Sequence, residues 1–297
     1  MSSSIIKYLH IIIILIQFLR LFCRKYAIIQ CTMSASLGGL LKDYRLQRNI
    51  AQMEVAFALG WKDTSRLSRI EQGVVEKPPR ELIDKISKAL NLKAQEKNTL
   101  LLIGNYLPTK EELEQTRKEN EAYLETWPYP AILYDFCWRI ILLNKSALRM
   151  LSMNKKDKKK AYEVAPSALE LVFDPKYVQN QYLKGDEVKV WHTNLFRFLT
   201  HFKNFQKSII RDKWYMATMK KMMNNDLFRE LWTKVQNSEV NFITTRFGKK
   251  IFVSPEDRNK RLKFNIFVVP LMKDPRFELE FFNPADTETA DFFTKSK

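Results

Sequence analysis

Residues 51–73 read AQMEVAFALGWKDTSRLSRIEQG, and this stretch decides the fold of the N-terminal part of the chain. Its first apolar positions with helical spacing are Val55, Ala56 and Leu59. Gly60 follows at the place where a left-handed residue commonly ends a helix. Only the turn at residues 61–63 separates this helix from a second apolar repeat. The stretch therefore predicts two short helices joined by a tight turn.

The second of these helices has one side that is polar and basic. Steps of 100° per residue turn Leu67, Ile70 and Val74 inward. The opposite side carries Ser65, Ser68, Arg69 and Gln72, with Thr64 and Arg66 on its flanks. Ser and Thr hydroxyls can bond several base edges, and an Arg fork can pair with O6 and N7 of guanine. This side is suited to the major groove of DNA.

One helix precedes this pair and two follow it. The preceding helix places Leu37, Leu40, Leu41 and Tyr44 on one face. The fourth and fifth helices are marked by Leu82, Ile83, Ile86, Ala89 and Leu90, and by Leu100, Leu101 and Ile103. A loop with Lys77 and a Pro-Pro stop separates the third helix from the fourth. We expect a five-helix bundle over residues 33–108.

The region from Leu37 to Gly104 resembles the XRE or phage-repressor helix-turn-helix proteins. The matching features are Gln52 at the start of helix two, the Leu-Gly at residues 59–60, and Ser-Arg-Ile-Glu-x-Gly at residues 68–73. The resemblance implies a buried ion pair between Arg45 and Glu71. It also implies DNA contacts by Gln52, Thr64, Ser65, Arg66, Ser68, Arg69, Gln72 and Lys77. The turn at residues 61–63 is one residue longer than in the shortest family members. A helical bundle without a DNA role is the alternative.

Length and charge bound the remaining possibilities. A chain of 297 residues suffices for about two domains, and 45% hydrophobic residues can build their cores. A net charge of +17 favours an anionic partner, either nucleic acid or a membrane surface, without choosing between them. The spacing of Cys23, Cys31 and Cys137 suggests neither a disulfide framework nor a metal site. We therefore expect a cytoplasmic protein.

Residues 1–32 form an apolar leader. The stretch between Lys7 and Arg20 is 12 residues long, which is short of the ~20 that cross a bilayer. No small-x-small cleavage site follows, so a signal peptide fits poorly. We interpret the leader as an upstream extension of the reading frame, with Met33 as the working start. A membrane-tethered regulator remains the alternative.

After the bundle, residues 109–126 read as a charged connecting helix that begins with capping-box spacing between Thr109 and Glu112. A second domain is then expected over residues 127–293. Apolar runs at 131–134 and 139–143 flank residues 135–138 and predict a hairpin. About three helices follow, and strand patterns return at 240–247, at 250–254 after a turn at Gly248, at 262–269 and at 277–282. The predicted fold class is α+β, with an antiparallel sheet and helices in the second domain.

This order of hairpin, helices and three strands resembles a PAS-like sensor fold. More closely it is similar to the ligand-binding domain of MmyB-type transcription regulators. The resemblance is carried by Pro130, Asp135, Arg139 and Asn144, by the segments 169–175, 228–232 and 283–287, and spans roughly residues 121–293. It implies a cavity for a small apolar molecule, with fatty acids as the ligand class.

Several residues of the second domain are candidates for ligand binding. Trp127, Trp138 and Trp232 are candidate wall residues, and Arg139, Arg197 and Lys203 are candidate donors to a carboxylate head. Met216, Met219, Met222 and Met223 have helical spacing, so they could shape themselves around a ligand or fill the core. The lysine-rich run at residues 155–160 is either a solvated loop or a contact to phosphate or lipid. Core packing is an alternative for every aromatic residue.

The sequence contains no motif for catalysis. His192 and His201 lie nine residues apart without a Cys cluster, and we find no Gly-rich phosphate loop, nucleophile elbow or pair of carboxylates with catalytic spacing. We expect no metal, no cofactor and no enzymatic activity. The expected function is a dimeric, DNA-binding transcription regulator with an apolar ligand. An antitoxin-like scaffold that docks proteins on the bundle is the alternative, and a lipid-handling enzyme lacks a nucleophile with its base.

Overall fold

The structure is a computed structural model, and it describes residues 36–164, 167–178, 182–206, 210, 212–239 and 247–295. The leader at residues 1–32 and the proposed start at Met33 lie outside the described residues. The chain divides into two compact units between Tyr106 and Leu107. Each unit is described separately below.

The first unit contains a bundle of five helices. They are α1 (Leu37–Gln47), α2 (Gln52–Ala58), α3 (Ser65–Glu71), α4 (Arg80–Ala89) and α5 (Ala94–Ile103). The predicted inward faces of α1, α4 and α5 are confirmed, because their apolar residues form one buried cluster with Val55, Leu67 and Ile70. Burial of this cluster at about 25 cal/mol per Å² is the main force that holds the five helices together.

Glycines with positive φ end α2 and α3 in the same way. After α3, the N–H of Gly73 donates to Ile70 and the N–H of Val74 to Arg69, at 3.0 and 2.9 Å. Gly73 has a φ of 77°, so the chain leaves the helix direction at this point. Val74 is consequently 61% exposed, and the prediction that it faces inward is wrong. Val75 packs against the core in its place.

Gly38 allows α1 to lie directly against the end of α3. A Cβ atom at Gly38 would lie 2.0 Å from the carbonyl oxygen of Ile70. A Cβ atom at the neighbouring Gly39 would meet only the Ser36 hydroxyl, at 3.3 Å. The distance between α1 and α3 therefore requires glycine at position 38 and not at position 39.

The second unit combines a five-stranded antiparallel sheet with helices. Its first part contains α6 (Lys110–Glu125), β1 (Ala131–Asp135), β2 (Ile140–Leu143), α7 (Lys145–Met150), α8 (Lys155–Val164), α9 (Ala168–Val172) and α10 (Pro175–Val178). Its second part contains α11 (Asp186–Phe205), α12 (Lys213–Met222), α13 (Asp226–Gln236), β3 (Phe247–Val253), β4 (Arg261–Pro270), β5 (Phe277–Pro284) and α14 (Thr287–Thr294). The strand order is β2-β1-β5-β4-β3. The α+β fold class is confirmed.

The predicted hairpin is confirmed, but three other details differ. Gly248 is not a turn, because it lies within β3 and pairs with Ile266 of β4. The described residues between β2 and β3 form seven helices rather than three. The lysine-rich run belongs to α8 rather than to a loop. Two of its side chains form ion pairs, because Lys158 lies 3.5 Å from Glu125 and Asp157 accepts from Lys176. Of the strand predicted at residues 240–247, residues 240–246 lie outside the described residues, and Phe247 begins β3.

Helix α6 packs on the sheet of the second unit. Thr109 and Glu112 form the predicted capping box, and Leu124 is fully buried in the cluster that contains Leu133 and Phe277. Arg276 is also fully buried, and its guanidinium binds the carboxylates of Asp274 and Glu112. This segment, predicted as a connecting helix, therefore forms part of the second compact unit.

None of the described helices has the length and apolar character that a membrane crossing requires.

Gly38→Ala should destabilise the first unit by at least about 2 kcal/mol, because α1 must move away from the Ile70 carbonyl. Gly39→Ala is the matched control, and it should be neutral or stabilising since Ala favours a helix. Hydrogen–deuterium exchange of the α1 and α3 amides in the full chain measures the effect. Equal exchange rates in the two variants would contradict the close contact.

Candidate nucleic-acid interface

A buried ion pair joins α1 to α3. The Arg45 Nε donates to Oε1 of Glu71 at 2.6 Å, and its Nη2 donates to Oε2 at 2.9 Å. The two side chains are only 7% and 2% exposed. Two parallel charge-assisted hydrogen bonds fix the angle between the groups as well as their distance. The orientation of α3 on the bundle thus depends on Arg45.

Two further hydrogen bonds extend this pair to the start of α2. The Gln52 side-chain amide donates to Oε2 of Glu71 at 2.7 Å, and Arg45 donates through Nη1 to the Ile50 carbonyl at 2.9 Å. Gln52 was predicted to contact DNA phosphate. One N–H of its Nε2 group is instead donated to Glu71, which leaves the second N–H and the backbone N–H groups at the start of α2 for such a contact. Glu71 therefore holds α1, α2 and α3 together.

The polar side of α3 is directed to solvent. Ser65, Arg66, Arg69 and Gln72 are exposed, while Thr64 and Ser68 are partly buried. The Gln72 amide donates to the Ser68 hydroxyl at 3.0 Å, one helical turn away. We call these six residues the basic face. The sequence predicted four of them on this side, with Thr64 and Arg66 on its flanks. The structure places Leu67 and Ile70 on the opposite side, at 0% and 1% exposed.

The start of α3 is set by Asp63, which sequence analysis did not single out. Its Oδ1 accepts from the backbone N–H of Ser65 at 2.8 Å. This hydrogen bond lowers the pKa of Asp63 below its ordinary value, because it stabilises the carboxylate. Asp side chains commonly accept from the backbone N–H two residues further on, so this turn could have been identified from the sequence.

Next to the basic face lies an open cleft of about 480 Å³. Its polar rim includes Asp63, Ser65, Arg66 and Arg69, and its apolar wall includes Ile70, Val75, Pro78, Pro79 and Leu82. The wall arises because Gly73 turns the chain back along α3. This cleft was not predicted, since it combines residues of α3 with the following loop.

Lys77 lies in that loop and already has partners within the bundle. Its ammonium group donates to the Asn105 carbonyl at 3.1 Å and lies 5.4 Å from the ring centroid of Tyr106. Burial raises the pKa of Tyr106 to about 12. Lys77 was predicted to contact DNA, and its exposed ammonium group keeps two further N–H donors for such a contact.

In the second unit, two of the three predicted wall residues belong to one group of rings. This aromatic cluster consists of Trp138, Phe198, His201, Phe202, Tyr215, Phe228 and Trp232. Trp138 and Trp232 are 7% and 8% exposed, and both rings contact Phe202. Trp127 is 37% exposed and instead contacts Tyr129 and Phe281. Burial lowers the pKa of His201 to about 4, so this ring is neutral at pH 7.

The hairpin between β1 and β2 positions Trp138. Trp138 has a φ of 64°, a conformation that is uncommon for a bulky residue. Its N–H donates to the Asp135 carbonyl at 2.7 Å, and Oδ1 of Asp135 accepts from the N–H groups of Cys137 and Arg139. Burial raises the pKa of Asp135, although the Arg139 guanidinium opposes this shift. The surrounding hydrogen bonds hold the strained residue in place.

The three residues predicted to donate hydrogen bonds to a ligand carboxylate have other partners or are exposed. The Arg139 Nε donates to Asp135 at 2.6 Å, and its Nη2 donates to the Pro108 carbonyl. Lys203 donates to the carbonyl groups of Val235 and Gln236, at the end of α13. Arg197 lies at the surface. The structure does not bring these three cations together.

The methionines of α12 point to different sides. Met222 is buried, Met219 is partly buried, and Met216 and Met223 are exposed. They do not form the single stripe that their spacing suggested. Among the described residues there is no group of three His, Cys, Asp or Glu side chains that could hold a metal ion.

Comparison with known families bears on the first unit. A helix-turn-helix family model matches residues 41–97. These residues therefore form a helix-turn-helix domain of the XRE type, as predicted. The match ends before the second unit, so the likeness of that unit to MmyB-type domains stays a prediction. A comparison with curated proteins found no match.

Glu71→Ala should destabilise the first unit by about 3 to 5 kcal/mol, because it leaves the Arg45 guanidinium buried without its partner. Glu96→Ala is the control. Glu96 pairs with Arg48 in the same bundle, but both side chains are more than a fifth exposed. Because Oε2 of Glu96 also accepts from the Lys93 N–H at the start of α5, that change should cost about 1 to 2 kcal/mol. Urea unfolding, monitored through hydrogen–deuterium exchange of the α1 and α3 amides, measures the free energy of unfolding of both variants. Equal losses of stability in the two variants would contradict a special role for Glu71.

Proposed function

We propose that this protein is a sequence-specific regulator of transcription that binds double-stranded DNA through α3. The observation that carries the proposal is the basic face. Four of its six polar side chains are exposed and two are partly buried, on a helix whose opposite side is buried at Leu67 and Ile70 and whose orientation is fixed by Glu71. Exposed Ser, Arg and Gln side chains on a rigid helix match the donor and acceptor pattern of the major groove.

The roles proposed for individual residues follow from their position. Arg69 reads a guanine through its exposed guanidinium, and Ser65, Ser68 and Gln72 contact neighbouring base edges. The N-terminus of α2 at Gln52 and the side chains of Thr64 and Lys77 contact phosphate, which sets the register of the helix but does not specify sequence. Two copies would place two α3 helices in successive major grooves about 34 Å apart, so we propose a homodimer in the cytoplasm.

A docking scaffold of the antitoxin type is the second candidate. It uses the same bundle but contacts protein. Exposed apolar side chains on α2, Met53 at 41% and Phe57 at 64%, favour this alternative. A regulator and a scaffold differ in one measurable property. Only the regulator selects a defined DNA sequence.

Arg69→Ala should relax the preference at one base position at a cost of about 1 to 3 kcal/mol, because one bidentate pair with guanine is lost. Lys42→Ala, on the exposed side of α1, removes the same charge outside the basic face and should leave the base preference unchanged. Selection of DNA from a random pool by the full chain measures both. An unchanged preference for Arg69→Ala would show that the register is wrong, and no selection by the unmodified protein would favour the scaffold.

We further propose that the second unit binds an apolar small molecule and thereby regulates DNA binding. Support comes from the aromatic cluster, in which Trp138 and Trp232 both contact the ring of Phe202. Burying each methylene group contributes about 0.8 kcal/mol, so an acyl chain of about twelve carbons could bind without a polar partner. Arg139 and Lys203 could meet a carboxylate only by giving up their present partners. The acyl chain of a fatty acid, rather than its head, is thus the recognised part.

Fatty acids of increasing length should change the Trp fluorescence of the full chain in a saturable way. Trp232→Phe should reduce this change, because Trp232 lies in the aromatic cluster. Trp127→Phe is the control and should preserve the change, since Trp127 contacts a different group of rings. Native mass spectrometry checks the stoichiometry. The absence of any saturable response would contradict the proposal of ligand binding. It would not affect the proposal of DNA binding.

A further inference from the structure

Trp61, in the turn between α2 and α3, stacks against an arginine of the basic face. The Arg66 Cζ atom lies 4.9 Å from the centroid of the Trp61 ring. Trp61 is partly buried, whereas Arg66 is exposed. At this distance the ring quadrupole attracts the guanidinium. This contact connects Trp61 of the turn with Arg66, the second residue of α3.

The indole itself is firmly placed. Gly60, with a φ of 73°, ends α2, and the Trp61 N–H donates to the Ala56 carbonyl at 2.9 Å. Trp61 is also one of the partly buried residues that pack against the apolar core of the bundle. Trp61 is therefore a fixed platform rather than a mobile surface residue.

Stacking restricts the guanidinium without consuming its donors. The cation–π contact is not a hydrogen bond to an acceptor, and the five N–H donors of Arg66 have no hydrogen-bond acceptor among the described residues. An arginine that is already ordered loses less rotamer freedom when it binds, so more of its hydrogen-bond energy contributes to affinity. Arg69, three residues later, has no such platform and no ion pair among the described residues. The two arginines of the basic face thus differ in preorganisation.

We propose that Trp61 is a positioning residue for sequence reading, which holds the Arg66 guanidinium ready to pair with O6 and N7 of a guanine. The N-terminal residues of a recognition helix are those that contact base edges, and Arg66 lies in the first turn of α3. This inference rests on the proposed DNA-binding function and adds a residue outside α3 to the specificity determinants. It also gives the turn at residues 61–63 a role in base selection.

A double-mutant cycle on the full chain tests this role. DNA is first selected from a random pool by the unmodified protein, and the base position that Arg66→Ala relaxes is identified. Trp61→Leu should weaken binding to the selected site about two- to fivefold, the value of an exposed cation–π contact, and relax that same position. The salt dependence should not change, because the number of charges is unchanged. Trp61→Phe keeps an aromatic face and should retain most of the preference.

The decisive result is the effect of Trp61→Leu in the Arg66→Ala background. We expect less than a further twofold loss there, because the platform has nothing left to position. A full additive loss would mean that Trp61 supports only the fold, and it would overturn the inference. No DNA selection by the unmodified protein would instead contradict the proposed function itself.

Arg66→Lys is a second variant that leaves the turn intact. Lys keeps the charge but lacks the planar fork, so the base preference should fall while the salt dependence stays the same. It covers the case in which Trp61→Leu disturbs folding of the first unit. Retention of the guanine preference by Arg66→Lys would overturn the inference as well.

Discussion

The first unit depends on one carboxylate. Glu71 accepts hydrogen bonds from Arg45 of α1 and Gln52 of α2, and it lies at the last position of α3. Each interaction offsets part of the cost of burying the others, since a buried charge is tolerated only with its hydrogen bonds satisfied. The orientation of α3, and hence the direction of every side chain on the basic face, follows from this arrangement.

The helical bundle was predictable because its signals are local. Helical spacing identifies the inward faces, and glycines such as Gly60 and Gly73 mark the helix ends. Val74 was assigned to the wrong side because the same spacing was continued past Gly73, where the backbone changes direction. The stacking of Arg66 on Trp61 could not be predicted from periodicity, since it joins a turn to a helix and depends on the path of that turn.

The second unit was predictable in class but less so in detail. Two apolar runs predicted the hairpin, and strand patterns together with helical spacing predicted the α+β class. The helices described between β2 and β3 range from 4 to 20 residues, and their number was underestimated because the shortest have too few turns to show helical spacing. Several polar residues that carry the MmyB-type resemblance have structural roles. Asn144 caps α7 and donates to the carbonyl groups of Leu124, Trp127 and Tyr129. Such buried polar groups must be satisfied wherever this fold occurs, whatever the ligand.

The central claim is that DNA meets the chain at the basic face. Hydrogen–deuterium exchange of the full chain, with and without DNA selected from a random pool, tests it most directly. The experiment uses saturating DNA and no ligand. The account predicts that DNA slows amide exchange at residues 52–54 and 61–77 and leaves the exchange of α5 and of the aromatic cluster unchanged. Slower exchange confined to the lysine-rich helix α8, with no change in α3, would contradict the account.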